Sequence, residues 1–209
     1  MTHTDIINRL IEKLGYESYL EIGVQDSRNN FDKIKCKFKV GVDPKPEYLS
    51  ENSIILKMTS DKYYKQVISR FDIIFVDGLH ESYQVYNDIK NGLEILNEGG
   101  VIVCHDMNPF SEIMQRVPRE VKIWTGDCWR AWLTVKNKFK NSFVIDTDYG
   151  VGIIKPKPDE HIDTFFAWYG MCDYGVLDRN RKLLLNLKSE QEFLKWLDSQ
   201  KMLSISGRR

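Results

Sequence analysis

The sequence predicts an α/β fold, in which helices cover both faces of a mostly parallel β-sheet. Short apolar runs rich in β-branched residues alternate along the chain with longer segments of helical periodicity. The chain has 209 residues, 42% of them hydrophobic. That length is enough to bury one sizeable core and short for two.

Five apolar runs in the first half of the chain are the predicted strands. They are Ser18 to Gly23, Phe38 to Val42, Ile54 to Lys57, Phe71 to Val76 and Val101 to Cys104. Three segments between them have the composition and length of helices, namely Asp26 to Ile34, Asp61 to Ser69 and Ser82 to Leu96. In the last of these, apolar residues recur at spacings of three and four, and Gly99-Gly100 is expected to stop the helix.

The second half has a looser pattern. Met107 to Gly126 contains two prolines and predicts a long loop with one short helix at most. Cys128 to Phe139 predicts a helix, and Ser142 to Asp146 with Gly150 to Lys155 predicts a terminal hairpin.

The tail from Asp159 to Leu203 reads as helical and aromatic-rich. Its aromatic residues are Phe165, Phe166, Trp168, Phe193 and Trp196. We expect one domain over 1–158 and a helical extension over 159–209 packed on it, rather than a separate pair of interaction helices.

Composition argues against several classes of partner. Thirty basic residues balance thirty acidic ones, so nothing resembles the basic surface of a protein that binds long nucleic acids or anionic membranes. The basic end, Gly207-Arg208-Arg209, fits a frayed terminus better than a binding patch. The chain shows no apolar run long enough to span a bilayer, and its start lacks the order of a signal peptide.

The four cysteines lack the short paired spacings of a zinc site or a disulfide scaffold. They are Cys36, Cys104, Cys128 and Cys172. A reducing compartment fits this usage, so we expect a soluble cytoplasmic protein. The oligomeric state is not predicted.

The first motif with chemical meaning is the turn after the first strand. Glu21 ends the strand, and Gly23 and Val24 follow, which lets backbone amides approach a ligand. A dinucleotide site would need further glycines where Gln25 and Ser27 stand, which argues against NAD. The glutamate suits a positively charged ligand such as S-adenosylmethionine (SAM), with an ordinary strand-to-helix turn as the alternative.

The second motif ends the next strand, where Asp43 precedes Pro44 about 20 residues after the first motif. That spacing brings a carboxylate to the hydroxyl pair of a ribose. After the third strand, Thr59 and Ser60 offer polar groups near the expected adenine. Ser60 as the N-cap of the following helix is an equal alternative.

The third motif joins two neighbouring strand ends. Asp77 follows the fourth strand with His80 three residues on, and His105-Asp106 follows the fifth. Because adjacent parallel strands end at one edge, these groups should converge at a ligand cleft. Carboxylate and imidazole ligands suit Mg²⁺ or Mn²⁺, and His80 is a candidate base. The alternatives are a helix cap for His80 and a loop hydrogen bond for Asp106.

Together these motifs resemble a small class I methyltransferase family related to the macrocin and mycinamicin sugar O-methyltransferases. The matching segments are Glu21 to Val24, Gly41 to Pro44, Phe71 to His80 and Gly99 to Pro109. The resemblance implies a Rossmann-like, seven-stranded, mostly parallel sheet. It also implies that SAM is held by Glu21, Gly23, Asp43 and the Thr59-Ser60 segment, with a divalent metal at the strand ends.

By the same resemblance, His80 serves as base, and the later metal position usually holds two acidic residues where this chain has His105-Asp106. The predicted metal ligands are therefore Asp77, Asp106 and His105, with Asp77 also beside the cofactor. We expect a hydroxyl oxygen to attack the methyl group of SAM in line while the metal holds and acidifies that hydroxyl.

The resemblance alone suggests a sugar or glycan acceptor. Trp129 and Trp132 offer rings for stacking, although packing of one helix face explains their spacing better. Two alternatives are open. One is methylation of a small phenol, a lipid or a nucleotide, and the other is a catalytically silent SAM-binding partner of another enzyme.

Overall fold

The computed structural model describes residues 1–51, 53–160, 162 and 172–201. Its helices are α1 (His3–Leu14), α2 (Ser60–Tyr64), α3 (Ser82–Glu94), α4 (Cys128–Val135), α5 (Tyr174–Leu184) and α6 (Glu190–Ser199). Its strands are β1 (Ser18–Ile22), β2 (Phe38–Val42), β3 (Ile55–Leu56), β4 (Phe71–Val76), β5 (Leu96–Cys104), β6 (Ser142–Ile145), β7 (Val151–Ile154) and β8 (Leu187–Lys188). The aromatic residues predicted to pack at Phe165, Phe166 and Trp168, and the basic end at 207–209, lie outside the described residues.

The strands form a single sheet with the order β3-β2-β1-β4-β5-β7-β6-β8. The first five in this order run parallel, and β7 joins β5 antiparallel. The predicted mostly parallel α/β fold is confirmed. The sheet has eight strands instead of seven, because β8 from the carboxyl-terminal extension pairs with β6.

Helices cover both faces of this sheet, as predicted. One apolar face packs against α1 and α6, through residues such as Leu10 and Phe193. The other packs against α2 to α5, with Ile89 of α3 and Trp132 of α4 fully buried. Among the described residues, no helix has the length and apolar character needed to cross a membrane.

Helix α1 was not anticipated from the sequence. Thr2 caps it, and the Thr2 and Asp5 side chains each bond the other's backbone amide, so two otherwise free amides are satisfied. The helix ends at Gly15, which adopts a left-handed conformation. Its apolar residues from Ile6 to Leu14 follow helical spacing and are buried, so α1 is held by the sheet.

The helix predicted over Asp26 to Ile34 is wrong. The segment is a turn followed by a short 3-10 helix, Phe31–Lys33. Polar side chains bond within the segment: Asp26 accepts from the Arg28 amide at 3.0 Å, and Ser27 donates to Asp32 at 2.9 Å. Such local hydrogen bonds compete with the regular helical pattern.

Three other helices end earlier than predicted. Helix α2 ends at Tyr64, and Ile68 beyond it is 99% exposed. Helix α3 ends at Glu94, before Gly99-Gly100, and these glycines lie inside β5, which is longer than expected. The predicted hairpin of β6 and β7 is confirmed, and α4 is shorter than predicted, since it ends at Val135.

Candidate active site

The carboxyl ends of the parallel strands open into one cleft with a volume of about 780 Å³. All residues predicted to bind the cofactor line it, namely Glu21, Gly23, Val24, Asp43, Pro44, Thr59, Ser60 and Asp77. His80, His105 and Asp106 line the same cleft. The structure therefore brings together every candidate site residue of the sequence analysis, while their chemical roles stay predictions.

Gly23 lets the ends of β1 and β4 approach closely. Its φ of 90° lies in the left-handed region, and a Cβ placed on it would be 2.1 Å from the backbone oxygen of Asp77. The Gly23 amide also donates to the Val42 carbonyl at 2.8 Å. A side chain at this position would push Asp77 away from the cleft.

Asp43 is fixed by the backbone around it. One carboxylate oxygen accepts from the Gln25 amide at 2.9 Å and the other from the Lys45 amide at 2.7 Å. At the next strand end, Thr59 caps α2 by accepting from the Lys62 amide at 3.4 Å. The alternative that Ser60 is the N-cap is therefore wrong, and Ser60 begins the helix.

Glu21 lies at the floor of the cleft in a buried polar network. Its carboxylate accepts hydrogen bonds from the Tyr19 hydroxyl and, at 2.8 Å, from the Asn30 amide. The Asn30 oxygen in turn accepts from Thr4 of α1 at 2.8 Å. Burial raises the pKa of Glu21 to about 8, even though the hydrogen bonds from Tyr19 and Asn30 favour the charged form.

His80 lies between two carboxylates. Its Nε2 is 3.4 Å from Asp77 Oδ1, and its Nδ1 is 3.1 Å from Asp106 Oδ2. The N-cap position of α3 is Glu81. The backbone amide of Ser82, in the first turn of the helix, donates to Asp127 Oδ1 at 2.6 Å. The alternative that His80 caps this helix is therefore wrong.

His105 extends the cluster away from His80. Its Nδ1 is 3.3 Å from Asp77 Oδ1 and 3.6 Å from Asp106 Oδ2. Its Nε2 points the other way and is 3.6 Å from Asp148 Oδ2. That same oxygen of Asp148 is 2.7 Å from both the backbone nitrogen and the Nδ1 of His3.

The charges of this cluster are balanced by imidazoles. Burial alone would raise the pKa of Asp77, but the neighbouring His105 and His80 offset it and hold this pKa below its ordinary value. Burial likewise opposes protonation of the two histidines, yet Asp77 and Asp106 raise the pKa of both. Burial and the charge of Asp77 raise the pKa of Asp106 to about 6.

The cluster fits a divalent cation. Ligand atoms of Asp77, His80 and Asp106 lie within 4.8 Å of one another, and His105 Nδ1 adjoins the same two carboxylates. Asp106 has a φ of 62°, a strained conformation for a residue with a side chain, and such strain is often found at functional sites. The two carboxylates supply oxygens of the kind that Mg²⁺ and Mn²⁺ prefer.

The aromatic wall of the cleft is not the predicted one. Trp129 and Trp132 are fully buried in the core, which agrees with helix packing and removes them from the cleft. Trp124 lines the cleft instead, and its ring stacks on His80 with centroids 5.3 Å apart. Gly126 lets this loop pack closely against His80, because a Cβ at position 126 would lie 1.7 Å from the His80 backbone oxygen.

Sequence reasoning missed His3, Trp124 and Asp148. The helix that carries His3 could have been predicted, since the Thr-x-x-Asp pattern before an apolar repeat indicates a helix N-terminus there. Trp124 lies in a long loop and Asp148 in a tight turn, where periodicity carries no information. Contacts between segments more than 40 residues apart place both beside the cluster.

Comparisons with known proteins agree with this geometry. Residues 6–107 match a family model described as a methyltransferase domain. No curated protein sequence matches the chain.

Several solved structures share the fold. An S-adenosylhomocysteine-bound methyltransferase from Podospora anserina is 16% identical with a TM-score of 0.55, over 74% of this chain and 77% of that one. The cofactor-bound Rv0187 from MTB is 12% identical with a TM-score of 0.56, over 75% and 82%. An O-methyltransferase from Bacillus cereus in complex with S-adenosylhomocysteine is 13% identical with a TM-score of 0.50, over 74% and 82%. The chain thus has the Rossmann-like fold of class I methyltransferases.

The raised pKa of Glu21 predicts a pH-dependent gain in stability for Glu21→Gln. Between the ordinary value of 4.5 and about 8, the folded chain holds a proton at Glu21 that the unfolded chain releases. Folding stability therefore falls as pH rises through this window, and the glutamine variant should lack that loss. Tyr19 and Asn30 both donate to the same oxygen of Glu21, and the carbonyl oxygen of a glutamine can accept both hydrogen bonds in its place.

Urea unfolding at pH 5, 7 and 8.5 measures the effect. The stability difference between Glu21→Gln and wild type should increase with pH, while Glu12→Gln on the exposed side of α1 should not show it. Parallel pH profiles for wild type and Glu21→Gln would contradict a raised pKa.

Proposed function

We propose that the protein is a SAM-dependent O-methyltransferase that methylates a hydroxyl oxygen with the help of a divalent metal ion. One observation carries this proposal: the cofactor-type residues and the cluster of Asp77, His80 and Asp106 line the same cleft. The matched methyltransferase domain over residues 6–107 includes both sets of residues.

The cofactor side of the cleft suits a charged nucleoside. Asp43 offers a carboxylate, oriented by two backbone amides, as an acceptor to a ribose hydroxyl pair. Glu21 at the floor would offer its carboxylate to the positively charged amino acid portion of SAM, whose charge favours the ionised form that burial disfavours. Gly23 keeps the backbone open between them.

The chemical step needs positioning and removal of a proton. SAM supplies an activated methyl group, and a bound metal would polarise the acceptor hydroxyl. Asp77 and Asp106 would hold that ion, with His105 beside them. His80 accepts the hydroxyl proton as the oxygen forms its bond to the methyl carbon, and the carbon–sulfur bond breaks to leave S-adenosylhomocysteine.

A silent SAM-binding module is the weaker interpretation. A domain that only holds a partner has no use for a histidine between the partly buried Asp77 and the buried Asp106, beside the cofactor residues. Burying ionisable groups costs folding free energy, and such clusters are found mostly at functional sites. The cluster at His80 therefore favours a catalyst.

The acceptor is open between two chemical classes. The glycan acceptor rests on the motif resemblance. An acceptor with an aromatic or other apolar group, such as a phenol, is favoured by an apolar pocket next to the cleft, lined by Phe110, Ile113, Met114, Val121, Ile123 and Tyr149. Ile123 and Tyr149 also line the cleft, so the two spaces are continuous. On the geometry, we therefore favour the phenol-type acceptor over the glycan.

Cofactor binding tests the proposal first. S-adenosylhomocysteine should bind, NAD should not, and Asp43→Asn should weaken S-adenosylhomocysteine by about tenfold or more, because a charged acceptor is lost. Calorimetry measures the three affinities. Glu47→Gln, a charge change on the neighbouring loop, is the control. Equal affinity of wild type and Asp43→Asn would remove Asp43 from the cofactor site.

Substitution of the proposed base tests the chemistry. His80→Ala should lower turnover by about 10² to 10⁴ and leave S-adenosylhomocysteine affinity nearly unchanged. The assay uses saturating SAM and Mg²⁺, and a chelator should suppress wild-type activity until the metal is restored. An unchanged rate with a lowered melting temperature would make His80 a structural residue.

The pocket makes the acceptor classes separable. Ile123→Ser should raise KM for a phenolic acceptor by about three- to tenfold, since Ile123 is 56% exposed and an acceptor would cover about half of a side chain whose full burial is worth about 1.5 to 3 kcal/mol. Ile68→Ser, at a position fully exposed and remote from the cleft, is the control. Turnover of simple glycosides with a KM unaffected by Ile123→Ser would favour the glycan acceptor.

A further inference from the structure

We propose a second cation site in the cleft, formed by His3, His105 and Asp148, that takes a first-row transition ion such as Zn²⁺. The three residues come from the start of α1, the end of β5 and the turn between β6 and β7. One ligand atom from each lies within 4.8 Å of the others. The site does not depend on the proposed methyl transfer.

The distances agree with three ligands around one ion. Ligand atoms bound tetrahedrally at about 2.0 to 2.1 Å lie roughly 3.3 Å from one another. Asp148 Oδ2 is 2.7 Å from His3 Nδ1 and 3.6 Å from His105 Nε2, which brackets that spacing. The two imidazole rings have centroids 4.5 Å apart.

A second observation is the state of His105. Its side chain is 11% exposed, and its Nε2 is a buried nitrogen that has no hydrogen-bond partner among the described residues. A buried polar atom without a partner is costly, and a cation would satisfy it. His105 Nε2 faces Asp148 Oδ2, so this unpaired nitrogen points into the proposed site.

The other ring nitrogen supports the same assignment. His105 Nδ1 lies 3.3 Å from Asp77 Oδ1. Histidines that bind metals usually donate their second ring N–H to a carboxylate, which fixes the tautomer and leaves the first nitrogen free to coordinate. His105 would then orient Asp77 through Nδ1 and bind the second ion through Nε2.

The two ligand sets differ in chemistry. Asp77 and Asp106 offer oxygens, which Mg²⁺ and Mn²⁺ prefer. Two imidazoles with one carboxylate suit Zn²⁺ and similar ions, and three protein ligands leave a position open for water or a substrate oxygen. Since His3 and His105 line the cleft, the open position would face the bound ligands.

The turn that carries Asp148 is built to hold it in place. Asp148 and Tyr149 both have positive φ angles, 48° and 59°, in the left-handed region. The Asn108 amide donates to the Tyr149 carbonyl at 2.7 Å, which ties the turn to the loop after Asp106. Backbone strain of this kind persists only where surrounding contacts maintain it.

The rival arrangement is a single ion on Asp77 and Asp106 that His105 binds through Nδ1. Asp148 would then only accept a hydrogen bond from Nε2, and His3 would only orient Asp148. The two arrangements differ in the number of ions and in the residues on which Zn²⁺ depends.

The test is Zn²⁺ binding to metal-free protein without a histidine tag, in excess Mg²⁺, by competition with a chromogenic chelator. Co²⁺ absorption reports the coordination number. Wild type should bind one equivalent of Zn²⁺. His3→Ala and Asp148→Asn should each lower the Zn²⁺ affinity by tenfold or more, the loss expected when a ligand or its support is removed. His80→Ala should bind as wild type does. Asparagine tolerates the left-handed φ at 148, so that variant should fold.

Two results would overturn the second site. One is wild type that binds no Zn²⁺ once Mg²⁺ is in excess. The other is Zn²⁺ affinity that survives both His3→Ala and Asp148→Asn, which the single-ion arrangement predicts. Melting temperatures of the metal-free variants establish that they are folded. These measurements use neither SAM nor an acceptor, so failure of the methyltransferase proposal would leave their outcome unchanged.

Discussion

The contact between Gly23 and the backbone of Asp77 is the constraint on which the cleft depends. Parallel pairing of β1 with β4 brings their ends to one edge of the sheet, but only a residue without a Cβ lets the chain turn there at such short distance. The turn after β1 then opens toward a ligand, and Asp77 stays beside Glu21 and the strand-end histidines. Both halves of the site therefore share one backbone contact.

Burial of many ionisable groups in one cleft opposes folding. Glu21 is almost fully buried, and its raised pKa measures the cost of charging it there. Two imidazoles face Asp77 and hold its pKa below the ordinary value, whereas burial and the charge of Asp77 raise the pKa of Asp106. A ligand that brings positive charge would lower the cost of ionising both Glu21 and Asp106.

The sequence predicted what depends on local pattern. Strand ends at Asp43, Asp77 and Asp106 follow from apolar runs and the parallel topology, so their meeting in one cleft was predictable. Prediction failed where side chains compete with the backbone, as at 26–34, where polar residues form a turn instead of a helix. It failed also for Asp148, because a turn that lies 43 residues from His105 along the chain contributes to the site through tertiary packing alone.

His105 connects these parts of the molecule. An acidic residue at that position would add a further negative charge beside Asp77 and Asp106, whereas the imidazole presents one nitrogen to those carboxylates and the other to Asp148. Asp148 is in turn bonded by the first turn of α1, and Thr4 of the same turn bonds the network that holds Glu21. Helix α1 therefore contacts the Glu21 network through Asn30 and the cluster around His105 through Asp148. Because α1 makes both contacts, a shift of this helix would displace both sides of the cleft together.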